Sequence, residues 1–461
     1  MVKRLFFGMS VTGLVFALIF AGCSGTKQPS DSSTVKILSA LTGGKDDAEM
    51  RLFEQALSAD TGLNVVIERL ATDYNRILLQ KLQAGEKYDL IYMGMDQYLE
   101  FTSQGALLDI TDMVENSAIF QNNIDPQEIE DIRLDGRIYA GFNKQELHRV
   151  VQLNRVMLEA AGIDYKTIEP TLDGYYQAMK QLKAANPAPD FYPFNVLIGE
   201  VWDLQPWMAA AGLKNGAVLG SDGKVFASYA SDEAAPVWEW FKKLYDEGLL
   251  DPASFVDQSS DMRAKMGAAS QKTAITADWA MWTGIQNGNA VTAGIGTDEY
   301  EIVSLPGVKN PDGNYMLVKG SPSLWGIPAN AENPAGAFAV LEYFATQEGG
   351  ELLSVGIDGY DYNIVNGKYV MTDVGMTHSS DHGAPSPIYR NFIHPVGFNP
   401  GVEDALQYLK YATIDFATKN DTDFRRIQGK WYIRIIRGEV GVLEGLASCR
   451  EELVSLGFVD R

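Results

Sequence analysis

Two histidines four residues apart, His378 and His382 in THSSDHGAP, have the spacing that would put both on one face of a helix, where they could hold zinc. Ser379, Ser380, Gly383 and Pro385 argue for a loop instead, and no Glu follows the first histidine, so the pair reads as surface histidines with no metal. Asp358 and Asp361 are of the type that serves as glycosidase acid and nucleophile. In a chain with 60 acidic residues against 38 basic, such pairs arise by chance. No G-x-S-x-G elbow occurs, and Gly223-Lys224 is followed by Val225 rather than the Ser or Thr of a phosphate-binding loop. The expectation is no catalytic residue, no metal and no cofactor.

The aromatic residues say more. A sugar offers C–H faces that stack on rings and hydroxyl pairs that suit Asp, Asn and Gln. Trp279 and Trp282 in DWAMW are one helical turn apart, while Trp238 and Trp240 in PVWEWFKKLYDEGL read as helix packing. Asp46 stands at the exit of the first apolar strand, where it is either a ligand contact or a helix cap. Tyr360 and Tyr362 follow Gly356 and Gly359 in a loop, placed to reach a cleft or to cover a hinge.

These residues hang on alternating elements. VKILSAL is a short apolar strand, and the stretch 48–59 sets Leu52, Phe53, Ala56 and Leu57 on one helical face, stopped by Gly62. A strand in NVVIE, a helix around Ile77, Leu78 and Leu82 ending at Gly85, and a strand in YDLIYM complete a β-α-β-α-β run. That run predicts a parallel sheet wrapped by helices, with ligands at the carboxyl ends of strands, in TGGKDD and GMDQY. DGRIYAGFNKQELHRVVQLNRVMLEAAGI goes from a turn through extended chain to a helix from about Arg155, and PGVKNPDGNYM is the clearest linker. No internal repeat is evident.

The start of the chain carries its own signal. Lys3 and Arg4, the apolar run Leu5–Phe20, and the small residues Ala21 and Gly22 form an export signal over 1–22. Phe20-Ala21-Gly22-Cys23 resembles the lipobox of bacterial lipoproteins, which implies that Cys23 is diacylated and that 23–34 is a flexible tether. The length of the remaining chain calls for two lobes. The net charge of −22 repels nucleic acid, and with Cys23 acylated the second of the two cysteines, Cys449, is left as a packing residue in a C-terminal helix.

Taken in order, Asp89-Leu90-Ile91 before GALLDITD, Asp135-Gly136-Arg137-Ile138-Tyr139-Ala140, Leu153-Asn154-Arg155 with Ala161-Gly162, KTAITADWAMW, and IPANAENPAGAFAVLEYFATQEGGELLSVGIDGYDY resemble one family along the whole mature chain. It is the extracellular solute-binding proteins of ABC transporters, of the carbohydrate type that includes maltose-binding protein and large Gram-positive lipoproteins. The resemblance implies an α/β, two-lobe periplasmic-binding-protein-like fold of type II, with mostly parallel central sheets flanked by helices and a hinge. The expected lobes are 35–142 with 316–375, and 143–315 with 376–461. It further implies that Trp279 stacks on the ligand, that Asp96 binds hydroxyls although Met93 replaces a family tryptophan, and that Trp202, Trp207 and Tyr360 join Asp46 at the cleft. The implied role is non-enzymatic capture of a carbohydrate, such as an oligosaccharide, by a monomer lipid-anchored on the extracytoplasmic face and delivering to permease subunits. A surface glycoside hydrolase or lyase, or a ligand-presenting module for a membrane kinase, stands as the alternative.

Overall fold

The computed structural model describes residues 33–40, 46–70, 73–199, 201–220, 222–320, 322–378, 381–414 and 421–460, with only the backbone of Trp202. Cys23, the export signal and nearly all of the tether lie outside them. The first half of the sheet follows from alternation. Strand β1 (Thr34–Ser39) buries Val35, Ile37 and Leu38, and pairs in parallel with β2 (Asn64–Arg69) and β3 (Leu90–Met93). Helix α1 (Asp47–Thr61) joins the first two. The Asp46 carboxylate accepts from the N–H groups of Ala48 and Glu49 at its start, and Gly62, at φ 69°, ends it with an N–H bond to the Ser58 carbonyl. Met50, Phe53 and Leu57 are its buried stripe, so Leu52 and Ala56 flank the contact rather than fill it. Helix α2 (Tyr74–Gln83) links β2 to β3, and α3 (Met95–Ser103) leaves β3 directly.

The sheet is then completed from far along the chain. Strand Leu324–Gly326 inserts antiparallel between β3 and β4 (Ala140–Phe142), giving five strands. Trp325, fully buried, brings its ring edge-on to Tyr92 at 5.5 Å between centroids. A second sheet has β5 (Arg149–Asn154) at its centre with Ile275–Trp279 and Ile302–Leu305 on either side, both antiparallel. Among the described residues, parallel pairing is therefore confined to the first three strands, to the short pair Leu317–Lys319 with Ala412–Ile414, and to single bridges at Phe194 and between Asp358 and Tyr362. The β-α-β connections return the chain to the same end of the sheet, whereas the later strands arrive from the opposite end.

Two separate apolar cores form. One gathers side chains from Val35 to Phe142 and from Leu324 to Ile388. The other gathers Val151 to Val308 and Phe424 to Val459. Ala384 and Ile388 belong to the first, beyond the residue 375 expected from sequence to end that part. A smaller cluster of Leu147, Val150, Ala280, Met281, Val402 and Ala405 lies where the chain enters β5. Cys449 is fully buried in the helix Val442–Ser455, and burial pushes its thiol up to about 12.

Candidate functional site

The strand Ile275–Trp279 ends in Trp279, half-buried, on the wall of a cleft of about 370 Å³. That volume is in the range of small-ligand sites. The other walls come from the segment entering β5 (Lys144, Glu146, Arg149), from Val318–Gly320, and from second-core residues such as Tyr229, Phe424 and Gln428. Among the described charged residues of the lining, cations outnumber anions. Lys144, Arg149, Lys214, Arg263, Lys319 and Arg425 face it against two carboxylates, Glu146 and Asp421, in a chain whose overall charge is −22.

Most of these cations are held in place from behind. Arg263 makes a two-pronged contact with Asp278, 2.7 and 2.9 Å, and lies over the Trp282 ring at 3.8 Å. Asp278 is itself 2% exposed, so the carboxylate acts as a buried anchor while the guanidinium faces the cleft. Arg149 pairs with Asp203 at 2.8 Å, Lys319 with Glu128 at 2.6 Å, and Arg425 with Asp421. Lys144 sits 5.6 Å over the Trp279 ring and 3.0 Å from Glu146. Burial opposes the Lys144 charge, but Glu146, Tyr92 and Asp381 outweigh it and raise the lysine above its usual range. Glu146 in turn accepts from the Ser323 hydroxyl at 2.6 Å. Lys214 differs from the rest: among the described residues no carboxylate pairs with it.

Of the five ligand-binding candidates with described side chains, only Trp279 lines this cleft. Trp207 does not, and its place there is corrected: it is fully buried, edge-on to Tyr175 at 4.8 Å and stacked on Trp240 at 5.4 Å, where its neighbours leave no face for a ligand. Asp46 is exposed and spends its carboxylate on capping α1, whose N–H groups hold it below the usual carboxylate range. Asp96 is exposed in the first turn of α3. Tyr360 donates to Glu49 Oε1 at 2.8 Å, a bond that pushes its phenol up to about 12. The Trp202 side chain lies outside the described residues. Trp238 and Trp240 pack in the second core as expected.

His378 and His382 are not on the surface. They are 2% and 3% exposed and converge on Asp361, which is 0% exposed. Helix Asp373–His378 and the hairpin Tyr362–Val365 with Lys368–Met371 turn the chain back on itself here, a long-range closure that local composition does not report. The cleft cations were also missed, because they are spread from residue 144 to residue 425 and no local pattern sets them apart from solvated lysines and arginines.

Residues 42–351 match the model of the bacterial extracellular solute-binding protein family. Lipoprotein LipO of Bacillus subtilis strain 168 is 24% identical over 259 residues, 51% of this chain and 49% of LipO. The chain thus spans about half the length of the curated relative it matches. Among solved structures, the sugar-binding protein MalE of Xanthomonas citri superposes with a TM-score of 0.68 at 14% identity, covering 92% of this chain and 97% of that one. The ABC substrate-binding protein Lmo0181 of Listeria monocytogenes, in complex with cycloalternan, gives 0.64 at 13% identity over 92% and 99%. These likenesses establish the two-lobe fold of type II. With the family model covering most of its length, the chain belongs to the bacterial extracellular solute-binding proteins.

Proposed function

We propose that this chain captures an acidic oligosaccharide in the cleft beside Trp279 and hands it to an ABC import permease, held to the extracytoplasmic face of the membrane by acylated Cys23. The observation that carries the reading is a cleft with a half-buried indole and six cations, Lys214 among them with no carboxylate partner among the described residues, in a protein of charge −22. The indole suits a pyranose face, and the cations suit carboxylate, sulfate or phosphate groups on the sugar. Membership of the solute-binding family and sugar-bound structural neighbours support the carbohydrate class.

The two cores are the two lobes in this reading. The first is 33–142 with the chain from 322 to about residue 390, and the second runs from β5 to Val308 and then from Phe424 to the end of the described chain. Capture works by closure: a ligand that touches both lobes only in the closed form shifts the equilibrium toward it. Asp96, exposed at the carboxyl end of β3, is the first-lobe side chain we assign to take hydroxyls on closure. The protein acts without turnover, and the permease reads the closed form.

Calorimetry against matched neutral and uronate-containing oligosaccharides tests both parts. The uronates are expected to bind at least about tenfold more tightly at low salt, with the advantage shrinking as salt is added. Neutral sugars binding equally well would remove the charge reading and leave the carbohydrate one. No binding across both sets, or recovery of cleaved product, would remove the carbohydrate-receptor reading itself.

A further inference from the structure

The chain has four histidines in all, and two of them meet one carboxylate out of reach of water. His378 Nδ1 lies 2.6 Å and His382 Nε2 3.3 Å from the same atom, Asp361 Oδ1, and donor atoms from all three residues fall within 4.8 Å of one another. Neither ring nitrogen of His382 makes a well-aligned hydrogen bond among the described residues, the long approach of Nε2 to Asp361 being the ring's one polar contact there. That is a costly state for a buried imidazole unless something else takes the lone pair. Gly356 makes the room: a Cβ there would stand 2.3 Å from Asp361 Oδ2 and 2.7 Å from His382 Nε2.

We propose that Asp361, His378 and His382 bind a divalent transition-metal ion of the zinc class, through one carboxylate oxygen, His378 Nδ1 and His382 Nε2. Two imidazoles and a carboxylate suit zinc and its first-row neighbours, whereas calcium and magnesium call for oxygen donors. Donors at zinc distances around a tetrahedron stand roughly 3.3 Å apart, which is the separation of His382 Nε2 from Asp361 Oδ1. The His378–Asp361 pair opens by less than about 1 Å as the ion replaces the proton those two atoms share.

The outer contacts are those such a centre needs. His378 Nε2 faces Glu49 Oε1 at 3.3 Å, and the same Glu49 oxygen accepts from the Tyr360 hydroxyl. A carboxylate on the far nitrogen fixes the tautomer that turns the Nδ1 lone pair toward the ion. The second oxygen of Asp361 is held by the Ile357 N–H at 2.8 Å. Burial works against the Asp361 charge, but His382, Ile357 and His378 outweigh it and hold the carboxyl below its usual range.

The site also has something to hold. The residue after His382 is Gly383, whose carbonyl accepts from Asn143, and Ser386 accepts from the Gln145 N–H. Asn143 and Gln145 flank Lys144 of the cleft. The ion therefore fastens, to α1 and the first core, the returning segment that backs one cleft wall.

The test uses the full chain purified without a metal-binding tag, with zinc and cobalt ions as probes. Elemental analysis is expected to find about one zinc per chain, and Zn²⁺ added after chelation is expected to raise the melting temperature. Co²⁺ is expected to give the visible absorption of a tetrahedral site. His382→Gln should weaken Zn²⁺ binding at least about 100-fold. If that variant does not fold, the cobalt spectrum of the unaltered chain decides, because it reports the donor set without a substitution. A chain that neither retains zinc nor takes up either ion overturns the proposal, as does Zn²⁺ binding that a folded His382→Gln leaves unchanged.

Discussion

Trp207 and Trp279 invite comparison, because both were read from sequence as walls of the binding site and the fold sends them to opposite fates. Trp207 sits in a second-core aromatic cluster where Tyr175, Phe194 and Trp240 approach within 4.8, 5.1 and 5.4 Å of its ring. Trp279, at the end of its strand, keeps a half-buried face on the cleft with Lys144 over its ring. The residue type is the same, and each has apolar neighbours in sequence. What separates them is who covers the ring: Tyr175 and Trp240 come from helices Leu172–Ala185 and Ala235–Asp246, which no inspection of GEVWDLQPWMAAAG reveals. An indole is a ligand contact only where the fold leaves it partly uncovered.

The comparison is sharpest under truncation. Trp207→Ala is expected to cost about 3 to 5 kcal/mol of stability, because the cluster cannot collapse onto the hole; denaturant melts of the ligand-free protein read this, and a loss under about 1 kcal/mol would place Trp207 outside the core after all. The junction where the chain enters β5 supplies the next effect. His148 is fully buried there, and burial lowers its pKa to about 4 despite the bond to the Ala405 carbonyl. Between the ordinary histidine value near 6.5 and about 4, the unfolded chain binds a proton that the folded chain refuses. Stability should therefore be full above pH 6.5 and fall by about 3 kcal/mol as pH drops through that window. His394 is lowered to about 4 by burial as well, so His148→Gln should make that limb shallower without abolishing it in melts run from pH 7 to 4, and an unchanged limb would assign the acid sensitivity elsewhere.

Trp279→Ala turns the comparison round. Ligand affinity should fall by roughly 1 to 3 kcal/mol, about tenfold to a hundredfold, with little change in the apo melting temperature. A large loss of apo stability with affinity intact would make Trp279 a second Trp207. The smallest effect belongs to Lys214→Met. It should weaken uronate binding about tenfold or less at low salt and leave neutral sugars alone, since the charge is partly solvated and screened; equal losses for both ligands would show that Lys214 works by shape and not by charge.

How much of this was legible depended on range. The β1-α1-β2-α2-β3 run was readable because its periodicity, Asp46 cap and Gly62 stop are all local, and so was the helix that follows Asn154. The antiparallel insertion of Leu324–Gly326 beside β3 was not, since nothing near Trp325 names its partners. At the cleft, Trp279 could be found through a motif, but Arg263 and Lys319 gain their meaning only from Asp278 and Glu128 behind them. His378 and His382 misled for the same reason. Ser379, Ser380 and Gly383 signal a turn correctly, yet a turn says nothing about whether the segment is folded inward over Asp361.

Cys449 carries a practical consequence. Its thiol is fully covered and pushed up to about 12, so almost none of it is thiolate at neutral pH, and alkylating reagents and oxidants have no path to it in the folded state. If Cys23 is acylated as proposed, the folded chain offers maleimides no reactive thiol. A single cysteine placed at an exposed position such as Val256, 74% exposed, would then be the one labelled atom in the molecule, a clean handle for a fluorophore that reports capture in real time.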